Sequence, residues 1–166
     1  MKSILKYMLM ALLAGFISAA CSKDDDEGDS MPENTVIYDG KSYSAVSAGL
    51  IDYGDYYKNG TYYYSVFVNL EEGYYVAVEI LSDSPAFPEG KKSYTYSDSR
   101  SAGNLDRILF NIEGKSTPAE SWIKSGSATA TKNGSNIEIS FSIVTVDGKT
   151  MSGHYKGIND PESAGR

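Results

Sequence analysis

The sequence predicts an all-β fold, an antiparallel, meander-rich β-sandwich of about nine strands, with a closed up-and-down barrel as the alternative. Three observations predict it. Apolar and polar side chains alternate with period two through residues 35–158, as in strands with one buried face. Four Asx-Gly pairs, Asp39-Gly40, Asn59-Gly60, Asn133-Gly134 and Asp147-Gly148, punctuate the alternation, and such residues accept the positive φ of tight hairpins. No stretch repeats its apolar residues at the helical spacing of three and four.

The elements follow in order. Residues 1–20 form a leader: Lys2 and Lys6, then the apolar run Tyr7 to Ile17, then Ser18, Ala19 and Ala20. That run is too short for a transmembrane helix, which needs roughly twenty residues, and it has the parts of an export signal. Residues 21–34 read as a tether, with Asp24, Asp25, Asp26, Glu27, Asp29 and Glu33 and one large apolar side chain, Met31. Such a segment cannot bury enough apolar surface to offset its ordering entropy.

Residues 35–158 form a single domain, about 125 residues being ample for one core. Strands are expected near 35–39, 42–51, 61–70, 74–82, 91–97, 106–113, 125–132, 136–146 and 149–157. The sharpest alternation places Ile137, Ile139, Phe141 and Ile143 opposite Glu138, Ser140 and Ser142. Tyr62, Tyr64, Val66, Val68 and Leu70 share a face, as do Tyr74, Val76, Val78 and Ile80, and Ile108, Phe110 and Ile112. A slip of one residue would expose each set, so register is specified. Pro85 and Pro88 make 82–90 an extended loop. Residues 115–124, with Pro118, read as a corner or short helical turn carrying Trp122 over an end of the sheet. Residues 159–166, with Pro161 and small polar side chains, read as a frayed tail.

Cys21 is the sole cysteine of the chain, so no internal disulfide is possible and its place after Ala20 needs another reason. Ser18-Ala19-Ala20-Cys21 resembles the lipobox of bacterial lipoproteins, which implies lipidation of Cys21. Lys23, Asp24 and Asp25 resemble the surface-export signal of Bacteroidota lipoproteins. The run from Ser125 to Gly157 is similar to the closing hairpins of small lipoproteins of that phylum with no assigned role, whose folds are β-sandwiches or calycin-like barrels. The resemblance implies an outer-membrane protein, lipid-anchored and exposed at the cell surface, the alternative being a periplasm-facing anchor. Membrane lipid is then a partner through acylated Cys21.

Charge narrows the other partners. The chain carries −7 overall, and much of that lies in the tether, so the folded part is mildly acidic and has no basic patch for nucleic acid.

Catalytic chemistry finds little footing. His154 is the only histidine and reads as a surface residue opposite Met151 and Tyr155. With Cys21 lipidated, a zinc site lacks ligands. No cofactor, metal or catalytic residue is assigned. A hydrolase using two of Asp52, Asp55, Glu79, Asp98, Asp106 and Glu113 is the least favoured alternative; most of these read as solvated loop or outer-face residues. Asp52, Asp55 and Asn59 could offer oxygen ligands to calcium but read as a polar turn. Tyrosine is abundant, at 14 residues against 5 Phe and 1 Trp. Tyr56, Tyr57 and Trp122 are the candidate ligand-binding residues, since exposed rings can stack on a sugar or engage a protein. The expected function is therefore binding of a glycan or protein partner without catalysis. The alternative is a structural or accessory subunit of a fimbrial or nutrient-uptake assembly.

Overall fold

The computed structural model describes residues 32–116 and 122–164. Ten strands run β1 Thr35–Tyr38, β2 Lys41–Asp52, β3 Tyr62–Leu70, β4 Tyr75–Ser82, β5 Gly90–Tyr96, β6 Asn104–Ile112, β7 Lys115–Ser116, β8 Ile123–Asn133, β9 Asn136–Thr145 and β10 Thr150–Ile158. The nine long segments expected from alternation are all strands; β7 is an addition, formed where Glu113 and Gly114 both take positive φ and turn Lys115 back onto Ile112. Lys115-Ser116 thus pairs with β6, where a corner or helical turn was expected to begin.

Neighbouring strands follow the order β4-β3-β2-β1-β10-β9-β8-β5-β6, and β6 pairs in turn with β4. The sheet therefore closes into a nine-stranded barrel with β7 attached to β6. This corrects the sandwich expectation. Two links decide it: β1 bonds β2 on one side and β10 on the other, and β6 joins β4 to β5. Every pairing between the ten strands is antiparallel except β5 with β6. Parallel neighbours ordinarily need a crossover of a dozen residues or more. Here the overlap is confined to Thr95 opposite Asn104 and Tyr96 opposite Leu105. The end of β5 lies beside the start of β6, so residues 97–103 suffice to connect them.

The interior is a packed core. Tyr64, Val66, Val68 and Leu70 of β3 point inward with Val76, Val78 and Ile80 of β4. Ile137, Ile139, Phe141 and Ile143 of β9 face them with Met151 and Tyr155 of β10. The described strands carry three register shifts, the third between Ile123 and Ser125 of β8, and two of them re-aim the core alternation. One between Ala45 and Ser47 pushes Val46 outward and turns Ala48 in. The other skips Asp106 opposite Glu79 and Ile80, so Leu105 and Ile108 both reach the core. At Gly153, a Cβ would stand 2.5 Å from the Phe141 ring of the paired strand; the missing side chain leaves room for that ring.

The outer wall is uneven. On β9 and β10 it carries Glu138, Ser140, Ser142, Ser152, His154 and Lys156. That polarity is the reverse of a lipid-facing barrel, whose outer band is apolar. Among the described residues no helix is long and apolar enough to cross a membrane. On β3 and β4 the outer wall instead buries Tyr63, Ser65, Ala77, Glu79 and Leu81.

Both ends of the domain are fastened. Asn34, the last residue of the expected tether, accepts a bond from the Lys156 N–H at 2.9 Å. The tail reading of 159–166 is corrected as far as Ala164. Asn159 Oδ1 accepts from Leu50 N–H at 2.8 Å, and the Asp160 N–H donates to the Ala48 carbonyl at 2.8 Å. Asn69 Nδ2 donates to the Ser163 carbonyl at 2.9 Å. Gly49 permits this approach, since a Cβ there would meet the Asp160 carbonyl oxygen at 2.4 Å.

Candidate functional site

The buried part of the outer wall carries a cluster of aromatic and charged side chains. Its base is Glu79 on β4, 2% exposed. Register sets its partners: Arg107 lies directly opposite on β6, and Tyr63 projects from β3 on the same face. The Tyr63 hydroxyl and Arg107 Nε both donate to Glu79 Oε2, and a second guanidinium nitrogen donates to the Tyr63 hydroxyl at 3.3 Å. Burial pushes the Glu79 carboxyl above its ordinary value, and the bonds from Tyr63 and Arg107 offset this only partly. Burial, then the Glu79 charge and hydrogen bond, raise the Tyr63 phenol well above its usual range. At the half-exposed Arg107 desolvation is outweighed by Glu79, which holds the guanidinium charged.

Residues 53–61 roof this base. Asn59-Gly60 closes the loop that the strand bounds imply, since β2 stops at Asp52 and β3 begins at Tyr62. Local side chains fix its path. Asp52 accepts from Gly54 N–H at 2.7 Å, and Asp55 accepts from Asn59 and Gly60 N–H, each at 3.0 Å. Asn59 accepts from Thr61 N–H at 3.0 Å. The Tyr53 N–H donates to the Tyr63 carbonyl, and the Tyr63 N–H to the Gly54 carbonyl, both at 2.9 Å. The oxygens weighed as calcium ligands thus serve as turn acceptors.

The loop sets three rings around Tyr63. Tyr53 lies 5.2 Å away, Tyr57 5.8 Å and Tyr56 5.9 Å between centroids. Tyr57 meets Tyr56 edge-on at 5.2 Å. The Arg100 guanidinium stands 4.8 Å above the Tyr57 ring, within cation–π reach. Tyr56 inclines 33° to Tyr63 yet remains 65% exposed, and Tyr53 is 42% exposed. Two rings therefore present surface to solvent from a fixed support.

Of the candidate binding residues, Tyr56 and Tyr57 come together here and Trp122 does not. Trp122 is 6% exposed and packs on Phe110 at 5.2 Å. It belongs to the core cluster, and its carbonyl accepts from Val146 N–H at 2.8 Å. Cys21, Lys23, Asp24 and Asp25 lie outside the described residues. Glu79, Arg107 and Arg100 were not singled out as binding residues. Glu79 is on the outer face, as alternation implies, but it is buried rather than solvated. The available signal was an acid placed among Val78, Ile80 and Leu81.

The remaining groups are accounted for locally. His154 faces outward, opposite Met151 and Tyr155, with Nε2 3.1 Å from Glu138 Oε1. Glu113 pairs with Lys41 at the other end of the barrel. Among the described residues no group of three or more His, Cys, Asp or Glu side chains could hold a metal ion. No family model, curated protein or solved structure matches this chain.

Proposed function

We propose that the chain is an outer-membrane lipoprotein, held through acyl chains on Cys21, that displays a non-catalytic barrel at the cell surface to bind a glycan or protein partner. The observation that supports binding is the ledge of Tyr56 and Tyr53, exposed on a loop whose backbone is already fixed. Ordering costs are among the largest charges against association, and a prearranged aromatic surface avoids most of them. The anchor rests on residues 1–27 alone. The polar outer wall of β9 and β10 fits a domain standing clear of lipid, with the tether supplying the distance.

We read the closed barrel as calycin-like in architecture, but place binding on its outer wall, because Ile, Val and aromatic side chains fill the interior. Assembly by strand exchange draws no support from barrel strands that are each paired on both sides. A carboxylate hydrolase draws none from Glu79, which is committed to Arg107 and Tyr63.

Mass analysis of protein recovered from cells tests the anchor. The expected N-terminus is an acylated Cys21, and Cys21→Ala should release the protein from the membrane fraction. Two acyl chains are enough for stable attachment, each buried methylene contributing about 0.8 kcal/mol. Protease added to intact cells should remove the domain. An unmodified Cys21, or a leader still attached, would overturn the reading.

A further inference from the structure

The ledge has a composition that narrows what it takes. Its two open rings share one support, Tyr63, so Tyr53 and Tyr56 stand apart by no more than the two centroid distances combined. The two rings are therefore close enough for neighbouring units of one sugar chain to reach both. The same loop carries Lys58 and is held by Asp52 and Asp55; Arg100 stands over Tyr57, Arg107 and Glu79 pair beneath Tyr63, and the Asp106 charge acts on Tyr57. The signs nearly cancel. A polyanion would meet no net attraction and a cation would meet two guanidinium groups, while sugar hydroxyls can use both kinds of neighbour. Arg107 is 45% exposed in its side chain and anchored from below through Nε. A guanidinium carries five N–H groups, so donors remain at its outer edge, beside the rings.

We infer that the Tyr53–Tyr56 ledge is a site for a neutral glycan chain, with the C–H faces of two successive pyranose rings lying on the tyrosines and hydroxyls bonding to Arg107. This rests on the binding function proposed above. The tyrosines supply apolar contact area and the inward bond to Glu79 prevents Arg107 from turning away, so little of the site has to be ordered on binding.

Titration of the full chain in detergent with neutral hexose oligosaccharides, and with uronic-acid oligosaccharides of the same linkage, tests it. Neutral chains should bind, with affinity almost unchanged between about 50 mM and about 500 mM salt, since no net charge is being screened. Tyr56→Ala should weaken binding about tenfold, and Tyr53→Ala by a smaller factor, whereas Tyr56→Phe keeps the ring and should bind nearly as wild type. Tyr56 is so exposed that its loss leaves the barrel core untouched; Val146→Ala, at the other end, is the control. A preference for uronates with steep salt dependence would overturn the neutral-ligand inference while leaving a ledge that binds. Capture of a protein partner abolished by Tyr56→Ala, with no glycan bound, would do the same. Glycan binding indifferent to both alanine variants would overturn the site, and no binding of any kind would overturn the broader function as well.

Discussion

Glu79 shows how one side chain can organise a surface. It is buried on the outside of the barrel, where water would ordinarily solvate it, because Tyr63 and the loop above close over it. Its neighbours satisfy the carboxylate without fully repaying its desolvation, so the folded state holds its proton more tightly than the unfolded chain does. A raised carboxyl contributes stability that is fully present below the ordinary Glu range and is lost as pH rises through the raised folded value. Glu113, lowered by its hydrogen bond and attraction to Lys41, works in the opposite sense, losing its contribution as pH falls; being exposed, it is also weakened by salt. The two effects overlap in the whole-protein curve, and Glu79→Gln separates them. Urea unfolding of both proteins should show wild type most favoured relative to Glu79→Gln near pH 4, with that advantage shrinking towards pH 7. A flat difference would mean that Glu79 keeps its ordinary proton affinity. Glu79→Ala should cost about 2–3 kcal/mol, since the Tyr63 hydroxyl loses its acceptor while the half-exposed Arg107 can reach water.

At the scale of elements, the strands were legible because burial has a period and turns have a chemistry. Ile137, Ile139, Phe141 and Ile143 face inward as their spacing implies. What alternation could not convey was a bulge. Val46 and Asp106 each add a residue that breaks the count, and only the partner strand reveals it. The Glu113-Gly114 turn was missed for a related reason: Glu is not a residue that favours the left-handed region, and context imposes it there. The C-terminal segment was misread because small polar residues fray only when no backbone groups await them. Here β2 offers the Leu50 N–H and the Ala48 carbonyl, and Gly49 leaves the space. Asn159→Ala should therefore cost about 1 kcal/mol, the value of a half-buried side chain–backbone bond, and speed amide exchange at Leu50. Unchanged exchange there would show that the segment is not held by this bond. In the site, the aromatic members could be suspected from Tyr53, Tyr56 and Tyr57 clustering in sequence. Arg107 could not, because its meeting with Glu79 depends on the register of β4 with β6.

For the whole molecule, the choice between sandwich and barrel turned on contacts that no local pattern encodes. Thr35 pairs with His154 across nearly the whole domain, and closure on the other side needs β5 to lie against β8 and β6 against β4, out of simple meander order. Such long-range pairing makes closure a late and slow event, in the millisecond-to-second range of non-local β topologies. The two closures differ in strength. β1 is bonded along its whole length to both neighbours, whereas β5 and β6 meet only at Thr95–Asn104 and Tyr96–Leu105. Local opening free energies follow how much pairing and burial must be undone. Native-state hydrogen exchange should therefore find whichever of these seam amides lie in the β5–β6 ladder opening well before those of β9, which is paired along almost its full length to β8 and β10. Leu105, whose side chain is fully buried, is paired to Tyr96 on one side and Ile80 on the other, so comparing its exchange with that of the β4–β6 amides tells an opening of the seam from an opening of the wider wall. If the seam amides instead exchange only with global unfolding, as β9 should, the barrel behaves as one cooperative ring and the narrow overlap is not its weak point.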